Sequence, residues 1–272
     1  MKTAIYFCAV LSCAVAAEEV NWTSISTNDV EVDPLPTAPV GPVEKIVGGS
    51  EVIPNSIPYQ VALIIDSTSF CGGSLISRDW VLTAAHCTTG ASFVRVVLGA
   101  HNLRRGEATT VMLTTSSIIN HPQYNRATLT NDVALIRLPF SVRLTRAIQL
   151  VTLAPANSPS FAGSVATLSG WGKTGDNTPA ISSTLNSVNV NVIANSLCQQ
   201  TYGGLIQPYT ICTYGGARRG GCHGDSGGPL TVNGYQVGVV SFVSSWGCQS
   251  GTPTAFSRVS YFRNWIAAHT GV

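Results

Sequence analysis

Charge is scarce in this chain. Asp, Glu, Lys and Arg together make up 10% of its 272 residues, and lysine occurs only at Lys2, Lys45 and Lys173. The arginines are scattered, with adjacent pairs only at Arg104-Arg105 and Arg218-Arg219. A solvated surface explains this pattern better than a phosphate-binding face does, so no nucleic-acid partner is expected. Long amphipathic helical patterns are also rare, which argues against a helical bundle. Beyond the first 17 residues no apolar stretch is long enough to cross a bilayer, so no membrane anchor is expected. No Cys-x-x-Cys pair occurs, which weighs against a structural zinc site.

Glycine, by contrast, is abundant at 26 residues, and with so few helical patterns it points to an all-β, turn-rich protein. Met1-Lys2 precedes an apolar run from Ala4 to Ala17 that ends in Val15-Ala16-Ala17. This reads as a secretory signal peptide cleaved after Ala17, hence as a secreted, extracellular protein. Residues 18–45 carry six acids (Glu18, Glu19, Asp29, Glu31, Asp33 and Glu44) against the single base Lys45. They read as a flexible propeptide without apolar periodicity, and Asn21-Trp22-Thr23 inside it is the only N-x-S/T glycosylation acceptor. From residue 46 onward there are 13 bases and 7 acids, a balance of about +6. Cys8 and Cys13 would leave with the signal. Cys71, Cys87, Cys198, Cys212, Cys222 and Cys248 remain, an even set that reads as three disulfides with fifteen conceivable pairings.

The body is patterned as short strands between turns. Val188-Asn189-Val190-Asn191-Val192 alternates as a half-buried strand does, and Asn233-Gly234 between two apolar runs signals a hairpin. The one helix expected is Val259–Thr270, where Val259, Phe262 and Ile266 follow helical spacing alongside Tyr261 and Trp265.

Three short motifs carry chemistry. Thr83-Ala84-Ala85-His86-Cys87 offers an imidazole, Asn131-Asp132-Val133-Ala134-Leu135 a carboxylate, and Gly224-Asp225-Ser226-Gly227-Gly228-Pro229 a hydroxyl. A serine is a weak nucleophile unless a neighbouring base takes its proton and an acid orients that base. Gly224 to Gly228 also fits G-x-S-x-G, the nucleophile turn of α/β-hydrolases, whose acid and histidine follow the serine. No Asp or Glu follows Asp225 in this chain, so that alternative fails on residue inventory.

In the order His, Asp, Ser, the motifs resemble those of the chymotrypsin-like serine proteases, over roughly residues 46–272. The resemblance implies two six-stranded antiparallel β-barrels, at about 46–155 and 156–258, with a C-terminal helix at 259–270. It implies disulfides Cys71–Cys87, Cys198–Cys212 and Cys222–Cys248. It makes Ser226 the nucleophile, His86 the general base and Asp132 its orienting acid. The backbone N–H groups of Gly224 and Ser226 become the oxyanion donors. A non-catalytic regulatory homologue is the rival class, and such homologues lack one of the three residues that are all present here.

Lys45-Ile46-Val47-Gly48-Gly49 is similar to the activation junction of that family. Cleavage after Lys45 by a trypsin-type protease would free an Ile46 ammonium to pair with Asp225. The resemblance places the floor of the primary pocket six residues before Ser226, where Gly220 stands. Without a carboxylate there, a Lys or Arg substrate side chain would be buried unpaired. Two registers compete for the pocket wall, Ser241-Phe242-Val243 and Ser245-Trp246-Gly247. The first keeps the expected distance to Cys248, and with Thr254 opposite it narrows the pocket toward small aliphatic side chains, as in elastases. The second leaves a wider pocket for Phe, Tyr or Leu. His223 is placed near the pocket rim. Ala100 stands where calcium-binding relatives begin their loop with Glu, so no metal and no cofactor is expected. The chain has no cysteine-rich accessory module, which fits a monomeric digestive endopeptidase acting on polypeptides and open to protein inhibitors.

Overall fold

The computed structural model describes residues 20–22, 24–35, 48–216 and 219–272. The expected signal peptide, the Lys45–Ile46 junction and Arg218 lie outside these residues. The strands are β1 (Ser26–Thr27), β2 (Glu31–Val32), β3 (Ser50–Glu51), β4 (Gln60–Ile65), β5 (Ser69–Leu75), β6 (Trp80–Thr83), β7 (Val94–Leu98), β8 (Val111–Thr115), β9 (Ile118–Asn120), β10 (Ala134–Arg137), β11 (Thr152–Leu153), β12 (Val165–Gly170), β13 (Asn186–Ile193), β14 (Thr210–Tyr214), β15 (Pro229–Val232), β16 (Tyr235–Ser244) and β17 (Thr254–Arg258). The helices are α1 (Ala85–Thr88), α2 (Asn195–Tyr202) and α3 (Val259–Thr270).

Local chemistry accounts for several of these elements. Along β13 Val188, Val190 and Val192 are buried while Asn189 and Asn191 are exposed, as the alternation requires. Asn233 and Gly234 take φ of 49° and 82°, the left-handed pair that lets β15 turn tightly into β16. Helix α3 ends at Gly271 in the left-handed conformation, whose N–H donates to the carbonyl of Ala267.

The fold is mostly β, as expected. Strands β16-β15-β12-β13-β14-β17 form an antiparallel ring closed by pairing of β16 with β17, a six-stranded barrel. The earlier strands form a curled antiparallel sheet in the order β8-β7-β4-β5-β6-β10-β9, whose outer strands are not hydrogen-bonded to each other. The two halves interlock more than boundaries near residues 46 and 155 suggest. Strand β3 pairs with β13 and β11 pairs with β16, so both ends of the first half are stitched onto the second. Val259, Phe262 and Ile266 of α3 join the core of the curled sheet with Leu63, Leu82 and Leu135. Buried hydrogen bonds Ser74 Oγ to Gln236 Oε1 and Ser169 Oγ to Gln60 Oε1, both 2.7 Å, tie the sheets together. Cys71–Cys87, Cys198–Cys212 and Cys222–Cys248 are disulfide-bonded.

The leading acidic segment differs from expectation. Residues 20–22 and 24–35 are not detached from the body: β1 runs parallel to β5, and β2 runs parallel to the end of β16. Val20, Trp22 and Ile25 pack on the curled sheet, and Val30 and Val32 pack against Phe242 and Tyr202 on the barrel. The reason is legible afterwards: Asp29-Val30-Glu31-Val32-Asp33 alternates polar and apolar, a strand pattern short enough to be missed beside so many acids.

Candidate active site

The site lies in the groove between the two sheets. His86 sits on α1 directly after β6, and the Cys71–Cys87 bridge pins this short helix to β5. Asp132 precedes β10 and is wholly buried. Its Oδ2 lies 2.7 Å from His86 Nδ1, its Oδ1 accepts the His86 backbone N–H at 2.9 Å, and Ser241 Oγ donates to Oδ2 at 2.6 Å. Ser257 Oγ donates to the Asp132 carbonyl at 2.7 Å. The carboxylate is thus held from α1 and β16 and the backbone of Asp132 from β17, and the carboxylate fixes the ring that it faces. Burial pushes the His86 imidazole down, but the Asp132 charge and hydrogen bond, helped by Asp29, more than offset it and the net shift is upward.

Ser226 stands in the turn before β15. Its carbonyl accepts the Gly72 N–H at 2.7 Å, which ties the turn to β5 of the opposite sheet. Gly224 has φ of 95°, and a β-carbon there would come within 2.8 Å of Ile181, so only glycine fits. The Ser226 hydroxyl donates to Asp29 Oδ1 at 2.9 Å, and among the described residues no hydrogen bond joins it to His86. The Gly224 N–H donates to the same Asp29 oxygen at 3.0 Å. Of the two expected oxyanion donors, the Gly224 amide is therefore engaged, while the Ser226 amide makes no hydrogen bond among the described residues.

Asp225 points away from the groove. Its fully buried carboxylate accepts the N–H groups of Gly172 at 2.9 Å and Cys222 at 3.0 Å. Burial pushes its pKa up to about 7 despite those bonds, and no cation pairs with it among the described residues. Gly220 and Thr254 are brought together: a β-carbon on Gly220 would lie 3.1 Å from Thr254 Oγ1, which also accepts the Gly221 N–H at 3.3 Å. Ser241, Phe242 and Val243 lie on β16 beside Asp132 and the docked segment, whereas Trp246 is exposed beyond the strand.

His223 at the rim faces two acids of the segment, with Nδ1 3.4 Å from Asp29 Oδ2 and Nε2 3.2 Å from Glu31 Oε1. The hydrogen-bonding Asp29 carboxylate chiefly raises its pKa, against some loss from burial. Asp29 itself is held low: burial opposes the charge, but His223, Thr27 and the Gly224 amide outweigh it. Asn28, Asp29 and Glu31 are not among the site residues expected from the sequence, where Asp29 and Glu31 count only as acids of the leading segment. A metal does not suit the two compact Cys/His groups, Cys71-His86-Cys87 and Cys222-His223-Cys248, because their sulfurs are spent in disulfides. In the loop after Ala100, the Glu107 carboxylate is occupied by the backbone N–H groups of His101 at 2.6 Å and Asn102 at 3.0 Å.

Comparison with known proteins bears on this geometry. Residues 46–266 match the family model described as Trypsin. Brachyurin of Leptuca pugilator is 48% identical over 227 residues, covering 84% of this chain and 99% of the relative. Chymotrypsin of Phaedon cochleariae is 39% identical over 275 residues, covering 99% of this chain and 98% of the relative, so its similarity extends into the leading segment. A solved structure titled as an HL collagenase superposes with a TM-score of 0.74 at 38% identity, covering 83% of this chain and 99% of that one.

Proposed function

This chain belongs to the trypsin family and is a serine endopeptidase, and from that premise we propose that His86, Asp132 and Ser226 are its catalytic residues and that its preferred P1 side chain is small and aliphatic. Ser226 Oγ attacks the scissile carbonyl carbon while His86 Nε2 takes its proton. The tetrahedral oxyanion is stabilised by the amides of Gly224 and Ser226. Collapse expels the leaving amine, to which His86 returns the proton, and water then hydrolyses the acyl-enzyme by the same steps reversed. Asp132 keeps Nδ1 protonated and stabilises the imidazolium without taking the proton. (These steps follow the general template for such triads.) The observation that carries the reading is the 2.7 Å contact of His86 with a buried Asp132, in a groove where the Ser226 hydroxyl and the Gly224 amide converge on one oxygen.

Specificity follows from the pocket. Gly220 at the floor brings no charge, and the Asp225 carboxylate is committed to the amides of Gly172 and Cys222. A basic P1 side chain would be buried without a partner, at a cost of several kcal/mol. Thr254 and Val243 narrow the slot. Relatives named brachyurin, chymotrypsin and chymotrypsin-like elastase support a digestive endopeptidase acting on polypeptides, which in this reading is secreted and monomeric. Activation proceeds by cleavage between Lys45 and Ile46, after which the Ile46 ammonium pairs with Asp225. The carboxylate's raised pKa supports this, since it marks a buried charge that a cation would stabilise.

Trypsin cleavage of the purified precursor, removal of the trypsin and hydrolysis of peptides varied only at P1 test the reading. Turnover favouring Ala, Val or Leu is the expected result, with a Ser226→Ala protein as blank and a Lys45→Gln precursor remaining inactive. A preference for Phe or Tyr overturns the pocket assignment and leaves the triad standing. Activity at the level of the blank after Ile46 is exposed overturns the triad.

A further inference from the structure

The acidic segment crosses the groove from end to end. Ser26 and Asn28 donate backbone N–H bonds to Thr68 and Phe70 on the curled sheet at 2.7 and 3.3 Å. The Asn28 amide donates to the carbonyls of His86 and Cys87 at 3.1 and 2.9 Å. Asp29 then meets Ser226 and Gly224, and beyond it the carbonyls of Val30 and Val32 accept the N–H groups of Val243 and Ser245 at 3.3 and 3.0 Å. Glu31 and Asp29 flank His223, and Asp33 accepts from the Ser245 hydroxyl. Leu35 closes the run by donating to the carbonyl of Thr201 at 2.7 Å.

We propose that the active-site groove is a binding site for this extended acidic segment, residues 20–35, which acts as an inhibitor of the same enzyme by seating the Asp29 carboxylate on the Gly224 amide and the Ser226 hydroxyl. The inference rests on the catalytic reading above, because it is the proposed nucleophile and oxyanion donor that the carboxylate occupies. A substrate presents a peptide carbonyl at that place, with an amine to expel. Asp29 presents a resonance-stabilised carboxylate with no leaving group, so Ser226 has no bond to break and the segment is held without being cut. Its charge resembles the oxyanion in sign, which suits donors preorganised for negative oxygen. The segment contains no cysteine, so once Lys45 is cleaved it is joined to the body by non-covalent contacts alone. It then competes with substrate for the groove, and the partner that the groove recognises has an Asp-x-Glu sequence in extended form.

A synthetic peptide of residues 20–35 is added to the activated, gel-filtered enzyme while hydrolysis of a P1-Ala peptide is followed. Calorimetry with the same activated chain reads binding independently of turnover. The expected result is competitive inhibition, with KM raised and kcat unchanged, and a peptide recovered intact. An Asp29→Ala peptide should bind about tenfold or more weakly, the effect of losing charge-assisted hydrogen bonds. Binding that leaves KM unchanged, rapid cleavage of the peptide, or equal affinity of the Asp29→Ala peptide overturns the proposal. Absence of any heat or inhibition at millimolar peptide does the same. An activated chain that hydrolyses nothing overturns the catalytic reading, while calorimetry still decides the segment.

Discussion

Asp225 is where one residue's environment constrains the packing around it. Glycines 170 and 172 crowd around its carboxylate, and a β-carbon on Gly172 would stand 2.5 Å from Asp225 Cγ. Neither the buried acid nor the strand end can move aside cheaply. Gly172→Ala is expected to cost about 1–3 kcal/mol, the range for overpacking, read as a lower urea midpoint of the precursor. The titration of Asp225 gives a second prediction. Burial raises its pKa to about 7 in the folded precursor, whereas the unfolded chain releases that proton near 4. The folded state then binds more protons across that interval, so its stability falls as pH rises from about 4 to about 7. In the Lys45→Gln precursor the urea midpoint should drop over this range, and Asp225→Asn should flatten the drop. Under the proposed activation, pairing of an Ile46 ammonium with the carboxylate would remove the penalty, so the cleaved protein should keep its midpoint toward neutral pH.

Among the elements, α3 shows how local pattern becomes tertiary support. Val259, Phe262 and Ile266 share one face at helical spacing, and all three are buried in the core beneath the curled sheet. The helix thereby clamps the end of the barrel onto the first half of the chain. Ile266 is completely inaccessible to solvent, so Ile266→Ala should cost about 2–5 kcal/mol in a denaturant titration. Because none of the hydrogen bonds that hold His86, Asp132 and Ser226 among the described residues comes from α3, kcat of the variant at low temperature should stay near that of the parent. The leading segment is the opposite kind of element. Its strands β1 and β2 are two residues each and adhere to sheets that are complete without them.

Across the whole molecule the uneven charge distribution becomes purposeful. Residues 20–35 carry three carboxylates (Asp29, Glu31 and Asp33) and no base, whereas residues 46–272 carry 13 bases and 7 acids. Inhibition by the leader peptide should therefore weaken as salt rises, since screening acts on the exposed part of that attraction. It should also weaken as pH rises. His223 faces Asp29 and Glu31, with Lys173 nearby, and Asp29 faces His223, His86 and Asp225. Docking raises the pKa of His223 and lowers that of Asp29. The His223 contribution is complete below its free pKa and is lost as pH rises through the raised value. The Asp29 contribution is lost only as pH falls through the lowered value. The inhibition constant measured from pH 5 to 9 should rise toward the alkaline end, and His223→Gln should flatten that rise.

The triad motifs, the hairpin at Asn233-Gly234, the alternation of β13 and the helix at 259–270 could all be read from sequence, because each is set by neighbours a few residues apart. The family resemblance supplied the disulfide pairing, which six cysteines alone leave open. Only the tertiary structure decided what surrounds them. It set Ser241 and Ser257 on Asp132, Thr254 against Gly220, and Gly72 under Ser226, contacts between residues far apart in the chain. It also brought Asp29 to Ser226, 197 residues away. Composition described the leader as polar and acidic, and so as loose. Its place in the groove depends on donors and a histidine that exist as a surface only after both sheets have folded and met.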